Sequence, residues 1–559
     1  MKGFKESNTN KNNNKGKSSI KLNLIEEYKR ALYLQKSGDI YEASKIYDYL
    51  IRNNYEREEV FLNYANICQQ SKNYDKAISL YKKSIQINSN NFLPFFKMGF
   101  ILNNNGRYFE AYPFAKKAIE IEPKLWQGYH NLIKILRNLN RPQEAIEISK
   151  RATNKFPKNQ LFFGLLADIY TEVGVFDNAE KNYKKAITLA PQDDETIYGY
   201  VNFLMGIGDK KSSKDLLLNI LKINKYHSMS YYSLSRLINL KEDISLKDKI
   251  IDLNLNDFKD NYNKYNILFS KSHIFHRLKE YEKSADNLIK ANELKLKDKP
   301  SNISKVLTLS NNIMNTTSKD NLFNLSNFEY LRDIFIVGLP RSGSTLIESI
   351  LGINQDVYNL GETSIFVNAF VECENKGFDQ LDKLYNKYTM NYSRKKYTTN
   401  KTLSNYIYTP YIMSKMNFSK IIYTFRNPLD NILSIYRAKF TGLGNEYSSS
   451  ILDSAIYYVN HFKIMNFYKK KYKEGIYFLN YDELVNNPEK EIKNLIEWLG
   501  LIWDENYLYP YKSKQAFFTA SNVQVRSPIN NNSVGGWKKY EKMLKKAKNY
   551  LAENNLSFE

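Results

Sequence analysis

Arg341, Ser342, Gly343, Ser344 and Thr345 stand together in the run DIFIVGLPRSGSTL, residues 333–346, and this grouping of one cation, a glycine and three hydroxyls suits the holding of an oxyanion. The apolar residues Ile334 to Val337 read as a buried parallel strand, and Ser342 to Thr345 open a helix whose unpaired N–H groups and positive dipole end can receive a negative charge. A Walker A loop places Lys directly after its second glycine, where it reaches the β/γ-phosphates. Ser344 occupies that place here and the cation has moved to Arg341. A nucleoside triphosphate therefore loses its main contact, and a different anion is implied.

A second grouping follows in KIIYTFRNPLDNILS, residues 420–434, again a strand, then a turn at Asn427-Pro428, then a helix. Arg426 leaves the strand 85 residues after Arg341, and Ser434 lies about two helical turns further on. An Arg/Ser pair of this kind can grip one phosphate, the Arg through a charged fork and the Ser through its hydroxyl.

These residues resemble the PAPS-dependent sulfotransferases. Pro340 to Leu346 is similar to the loop that in that family holds the 5′-phosphate and sulfate of 3′-phosphoadenosine 5′-phosphosulfate (PAPS), and Arg426 with Ser434 resembles the 3′-phosphate motif. Further segments resemble the tyrosylprotein sulfotransferase branch. Leu360-Gly361-Glu362-Thr363 is similar to a segment whose Glu is the proposed general base, and Asn400-Lys401 to one whose Lys stabilises sulfuryl transfer. Leu479 to Val485 resembles an element whose Tyr, here Tyr481, touches the nucleotide. Ser521 to Asn530, with Arg526 inside it and Trp537 after it, resembles a late loop that folds over the nucleotide. The resemblance covers residues 330–545 and departs at Gly535-Gly536-Trp537, where the family supplies a cation before the Trp; Lys538 is the nearest replacement.

The implied chemistry is simple. An acceptor hydroxyl loses its proton as it attacks sulfur, and Glu362 can take that proton, an effect worth roughly 10²–10⁴-fold. Lys401, Arg341 and the loop N–H groups would stabilise the charge that develops, each well-placed donor contributing about 3 kcal/mol. Fixed side-chain cations suffice for this scheme, so no metal is expected. Arg341, Ser342, Gly343, Ser344, Thr345, Arg426, Ser434, Tyr481, Ser521, Arg526 and Asn530 are the expected donor-binding residues.

The amino-terminal half has a different organisation. Ala43, Ala77, Ala111, Ala145, Ala179 and Ser213 are spaced by 34 residues, and Pro123, Pro157 and Pro191 each lie twelve residues after one of them. This is the tetratricopeptide period, with a small residue where two helices cross and a proline where a helix stops. A degenerate unit at Tyr281-Glu282-Lys283-Ser284 carries the solenoid to residue 296. Stacked helix pairs of this kind present a concave face suited to a protein or peptide partner.

The 559 residues exceed what one hydrophobic core organises. The expected domains are a polar disordered tail (1–20), a repeat solenoid (21–296), a linker (297–328) in which 303–313 could form a short helix, and a sulfotransferase domain (329–559). The fold class expected is α + α/β: an α-solenoid followed by a P-loop-like domain with a central parallel sheet. The net charge of +23 comes from Lys spread over every segment, so no nucleic-acid partner is expected, although an acidic acceptor or anionic donor would gain from it. Cys68 and Cys373 are the only cysteines, and no secretory or membrane-spanning run is evident, which points to the cytoplasm. His273 and His276 lie at helical spacing without further ligands, as on a partly buried helix face. The reading is a cytoplasmic PAPS-dependent sulfotransferase acting on protein tyrosine or another macromolecular hydroxyl. The alternatives are a repeat scaffold with a non-catalytic nucleotide-binding domain and a P-loop phosphotransferase. Neither the acceptor nor the oligomeric state is legible.

Overall fold

The computed structural model describes residues 10–319, 331–440, 444–513, 516, 518, 519 and 524–557. The chain divides into two compact units, Met1–Pro157 and Lys158–Glu559. The division falls between consecutive repeats, so the second unit contains repeat helices together with the whole α/β region.

The 34-residue period is realised as helix pairs such as Glu58–Gln70 with Tyr74–Ile87, and Gln160–Glu172 with Phe176–Leu189. Ala43, Ala77, Ala111, Ala145, Ala179 and Ser213 are all fully buried, as close crossing of helices requires. The same period governs the turns. Gly38, Lys72, Gly106, Asn140, Gly174 and Gly208 all have positive φ, between 54° and 92°. Each supplies the left-handed residue that reverses the chain after a helix, which is why glycine or asparagine fills four of five places after the first.

In the second unit, residues 281–298 and 303–319 are helical (Tyr281–Asp298 and Ile303–Lys319). Side chains of the last repeat helices and of Ile303–Lys319 bond directly to the α/β region. Asn292 Nδ2 donates to Tyr436 O at 3.1 Å, Lys295 Nζ to Phe440 O at 3.0 Å, and the Ser310 and Tyr406 hydroxyls meet at 3.0 Å. Tyr540 OH donates to Ser284 Oγ at 2.9 Å and lies 2.8 Å from His276 Nδ1.

The α/β region is built on five parallel strands: β1 (Asp333–Gly338), β2 (Val357–Asn359), β3 (Tyr397–Asn400), β4 (Ser419–Phe425) and β5 (Ile476–Asn480). Their spatial order is β2-β3-β1-β4-β5. All six residues of β1 are buried, and the strand alternation sends Ile334 and Ile336 to one core cluster and Phe335 and Val337 to another. Both faces are thus covered, as a parallel sheet requires. Asn359 pairs with Thr399, Phe335 with Asn400, Gly338 with Thr424 and Phe425 with Asn480. The carboxyl ends of the strands therefore share one edge of the sheet. Because the chain leaves β1 towards β2 on one side and leaves β4 towards β5 on the other, the edge is split between β1 and β4 by a crevice of the sort in which open α/β sheets hold ligands.

Candidate functional site

Every strand end delivers a residue singled out from the sequence. Arg341 to Thr345 follow β1, Glu362 follows β2, Lys401 follows β3, Arg426 follows β4 and Tyr481 follows β5. A cleft of about 860 Å³ opens at this edge, lined by Arg341, Gly343, Ser344, Thr345, Glu362, Arg426, Ser434, Tyr481 and Asn530 among others.

The loop after β1 turns on two left-handed residues, Arg341 (φ 69°) and Gly343 (φ 97°). Gly343 caps the helix Ser344–Leu351, so that helix starts at the cleft with Ser344 and Thr345 in its first turn. A Cβ on Gly343 would stand 2.4 Å from Cδ2 of Tyr481, and one on Gly338 2.4 Å from Thr424 O. The loop is therefore as close to its neighbours as backbone alone permits. Ser342 serves this packing: its hydroxyl donates to Leu339 O at 2.7 Å and lies 2.7 Å from Thr424 Oγ1. Thr345 Oγ1 lies 3.4 Å from Thr519 Oγ1.

The two cationic motifs meet. Arg341 Nε donates to Ser434 Oγ at 3.2 Å, on the helix Pro428–Arg437 that follows β4. Burial, with Arg236 and Arg426 nearby, pushes the Arg341 guanidinium down to about 10. Arg426 lies 4.8 Å over the Tyr481 ring and donates through Nη2 to Ser533 O at 2.9 Å. Its Nε is buried with no hydrogen-bond partner, 3.8 Å from Asp482 Oδ1. Arg437 also lines the cleft and keeps a buried Nε without a partner. Asp430 Oδ2, 3.6 Å from Arg426 Nη2, offsets part of this positive charge, and the buried Arg426 and Arg437 Nε donors left unused favour an added anion. The residues present therefore fit a nucleotide carrying phosphate groups, held by Arg341, Ser434, Arg426, Tyr481 and the first turn after Gly343.

Behind Glu362, Lys401 is fully buried and does not itself line the cleft, and its Nζ donates to Glu362 Oε1 at 2.8 Å. Glu362 itself is 60% exposed at the cleft. Lys401 Nζ also lies 3.8 Å from Oε2 of Glu348, a carboxylate that sequence reasoning did not single out. Burial raises the Glu348 carboxyl, while the Lys401 ammonium, the Thr399 hydroxyl and the Gly361 N–H act in the opposite sense. Glu348 sits within a helix opening on hydroxyls and apolar residues, where a single acidic position reads as a solvent contact until β3 brings Lys401 beside it.

Two expected residues, Arg526 and Lys538, do not line the cleft. Ser521 lies outside the described residues. Arg526 does not line the cleft; its Nη2 donates to Gly206 O at 2.6 Å, at the end of the helix Asp194–Ile207. Lys538 is exposed and does not line the cleft either, whereas Lys539 does. The Gly535-Gly536-Trp537 segment is fixed instead by Asp430, which accepts the Gly535 N–H at 2.7 Å and the Trp537 N–H at 2.8 Å. His276 bonds Tyr540, and among the described residues no three His, Cys, Asp or Glu side chains cluster as metal ligands.

Comparison with known proteins gives two family matches. Residues 333–505 match the model of a family described as the sulfotransferase family, and residues 58–91 and 162–193 match that of the tetratricopeptide repeat. Residues 333–505 are a sulfotransferase-family domain. The sulfotransferase domain and the repeats thus belong to one chain, with an α-helical repeat part and an α/β part. An uncharacterised protein of Aquifex aeolicus (strain VF5) is 26% identical over 373 residues, which is 62% of this chain and 48% of the relative. The chain spans about half the length of that curated relative. Among solved structures, a MamA structure (23% identical, TM-score 0.28) is covered over 97% of its length by 30% of this chain. YrrB, a TPR protein described as having an unusual peptide-binding site, is 17% identical with a TM-score of 0.28, and 34% of this chain covers 96% of its length. Among the described residues no helix is long and apolar enough to cross a membrane.

Proposed function

We propose that the sulfotransferase domain moves a sulfuryl group from PAPS to a hydroxyl acceptor, protein tyrosine or another macromolecular hydroxyl. The observation that carries this reading is the meeting of Arg341 with Ser434, which joins the two anion motifs in the cleft that also holds Glu362. When bound, the donor supplies the sulfuryl group and departs as 3′-phosphoadenosine 5′-phosphate.

The residues divide the work. Arg426, Ser434 and Arg341 bind the phosphate groups through charge-assisted hydrogen bonds, and Tyr481 supplies a ring against Gly343 and beneath Arg426. Ser344 and Thr345 present hydroxyls and N–H groups at a helix start. Glu362, open to the cleft, takes the acceptor proton, and Lys401 offsets the charge that develops on the transferring oxygens. Asn530 lines the same cleft.

The repeats are proposed to bind a protein partner and so to bring a macromolecular acceptor to the cleft. Both cysteines, Cys68 and Cys373, are buried free thiols, which supports a reducing cytoplasmic setting. The working division remains a solenoid to residue 296 and a sulfotransferase domain from residue 329. Titration with 3′-phosphoadenosine 5′-phosphate, with Mg-ATP as control, tests the donor assignment: preference for the 3′-phosphorylated nucleotide supports it and preference for Mg-ATP rejects it.

A further inference from the structure

Lys401 has a carboxylate on each side, and the two differ in environment. Glu362 meets it at 2.8 Å and is 60% exposed; Glu348 meets it at 3.8 Å and is 4% exposed. Glu348 is held firmly. Its Oε1 accepts the Gly361 N–H at 3.0 Å and lies 3.2 Å from Thr399 Oγ1, while its backbone carbonyl accepts Asn359 Nδ2 at 2.8 Å. The Lys401 N–H in turn donates to Gly361 O at 3.0 Å. One carboxylate thus ties together the helix after β1, the turn that carries Glu362 and the strand end that carries Lys401.

We propose that Glu348 is a positioning residue that balances the charge of Lys401 while Glu362 works. The inference rests on the proposed role of Glu362 as the proton acceptor. When the acceptor hydroxyl gives its proton to a Glu362 oxygen, Glu362 becomes neutral and Lys401 loses its nearer counter-ion. A fully buried ammonium without a counter-charge is strongly disfavoured. Glu348 stays in contact through that step, so the buried ammonium keeps a counter-charge and its place behind Glu362. Its bond to the Gly361 N–H also fixes the turn from which Glu362 projects. Glu348 touches neither donor nor acceptor and acts only through Lys401 and this turn.

The test combines melting curves with kinetics on the full chain. Glu362→Gln lowers the melting temperature little, because Glu348 still balances Lys401. Glu348→Gln lowers it more, and adding Lys401→Met to Glu348→Gln recovers much of the loss, because the stranded charge is gone. In activity, Glu348→Gln lowers kcat by about 10- to 100-fold with little change in the donor KM and in 3′-phosphoadenosine 5′-phosphate affinity measured by calorimetry, and Glu348→Asp restores part of kcat. Absence of recovery on adding Lys401→Met, or an unchanged kcat in Glu348→Gln, overturns the proposal. If the unaltered chain binds no 3′-phosphoadenosine 5′-phosphate, the functional reading fails instead, and the melting series still reports whether Glu348 balances Lys401.

Discussion

Arg341 Nε donates to Ser434 Oγ at 3.2 Å, across 93 residues of chain. The bond joins the loop after β1 to the helix after β4, and it brings both motifs to one cleft. Arg341→Ala is expected to weaken binding of 3′-phosphoadenosine 5′-phosphate by about 10- to 100-fold, as loss of a charged hydrogen bond of 1.5–3 kcal/mol implies. Ser434→Ala should weaken it less, by roughly 10-fold. Isothermal calorimetry checks both, and unchanged affinity in the two variants would remove this pair from the donor site.

Gly343 has φ 97° and faces the Tyr481 ring. Gly343→Ala places a methyl 2.4 Å from Cδ2 of that ring and strains the backbone as well. Either the loop or Tyr481 must move, so nucleotide affinity should fall while far-ultraviolet circular dichroism is retained. Gly377→Ala is a fitting control, since Gly377 also has positive φ but no atom within 4 Å of the added carbon; it should leave the affinity near its original value.

Glu362→Gln removes the proposed proton acceptor and leaves a side chain of the same size beside Lys401. Transfer from labelled PAPS to a tyrosine-containing peptide should drop by roughly 10²–10⁴-fold, with nucleotide affinity preserved. A fully active variant would take Glu362 out of the mechanism.

His461 is fully buried among Tyr406, Tyr423 and Tyr457, and neither ring nitrogen has a hydrogen-bond partner. Burial pushes its pKa down to about 3. The unfolded chain takes up a proton near the ordinary histidine value of about 6.5, which the folded chain refuses until near 3. The contribution of His461 to stability is therefore whole above pH 6.5 and is lost as the pH falls towards 3. His461→Phe should reduce the difference in melting temperature between pH 7 and pH 5. Some loss will persist, because burial and the nearby Arg437 and Lys539 also hold His276 at about 3. An unchanged difference would show that His461 does not contribute.

Much of this arrangement was legible because it is local in sequence. The 34-residue spacing of Ala43 to Ser213 requires only that helices cross at small residues, and all six are buried. Arg341 and Arg426 each follow an apolar strand directly, so their place at one sheet edge follows from parallel pairing. What was hidden depends on distant partners. Glu348 becomes important only once β3 brings Lys401 to it, and a lone acidic residue within a helix carries no such mark. The late-loop residue Arg526 looked like a phosphate contact, yet the Gly206 carbonyl at the end of a repeat helix receives it. Sequence likewise gave no sign that Asp430 would hold Gly535 and Trp537 where a cation was expected. The recurrent left-handed turn from Gly38 to Gly208 was present in the period, but Lys72 and Asn140 disguise it as variable sequence.

The most direct test of the account is calorimetric titration of the full chain with 3′-phosphoadenosine 5′-phosphate and, separately, with Mg-ATP. Saturable binding of the 3′-phosphorylated nucleotide is expected, weakened by Arg341→Ala, with much weaker binding of Mg-ATP. Tighter binding of Mg-ATP, or no binding of the 3′-phosphorylated nucleotide, would contradict it.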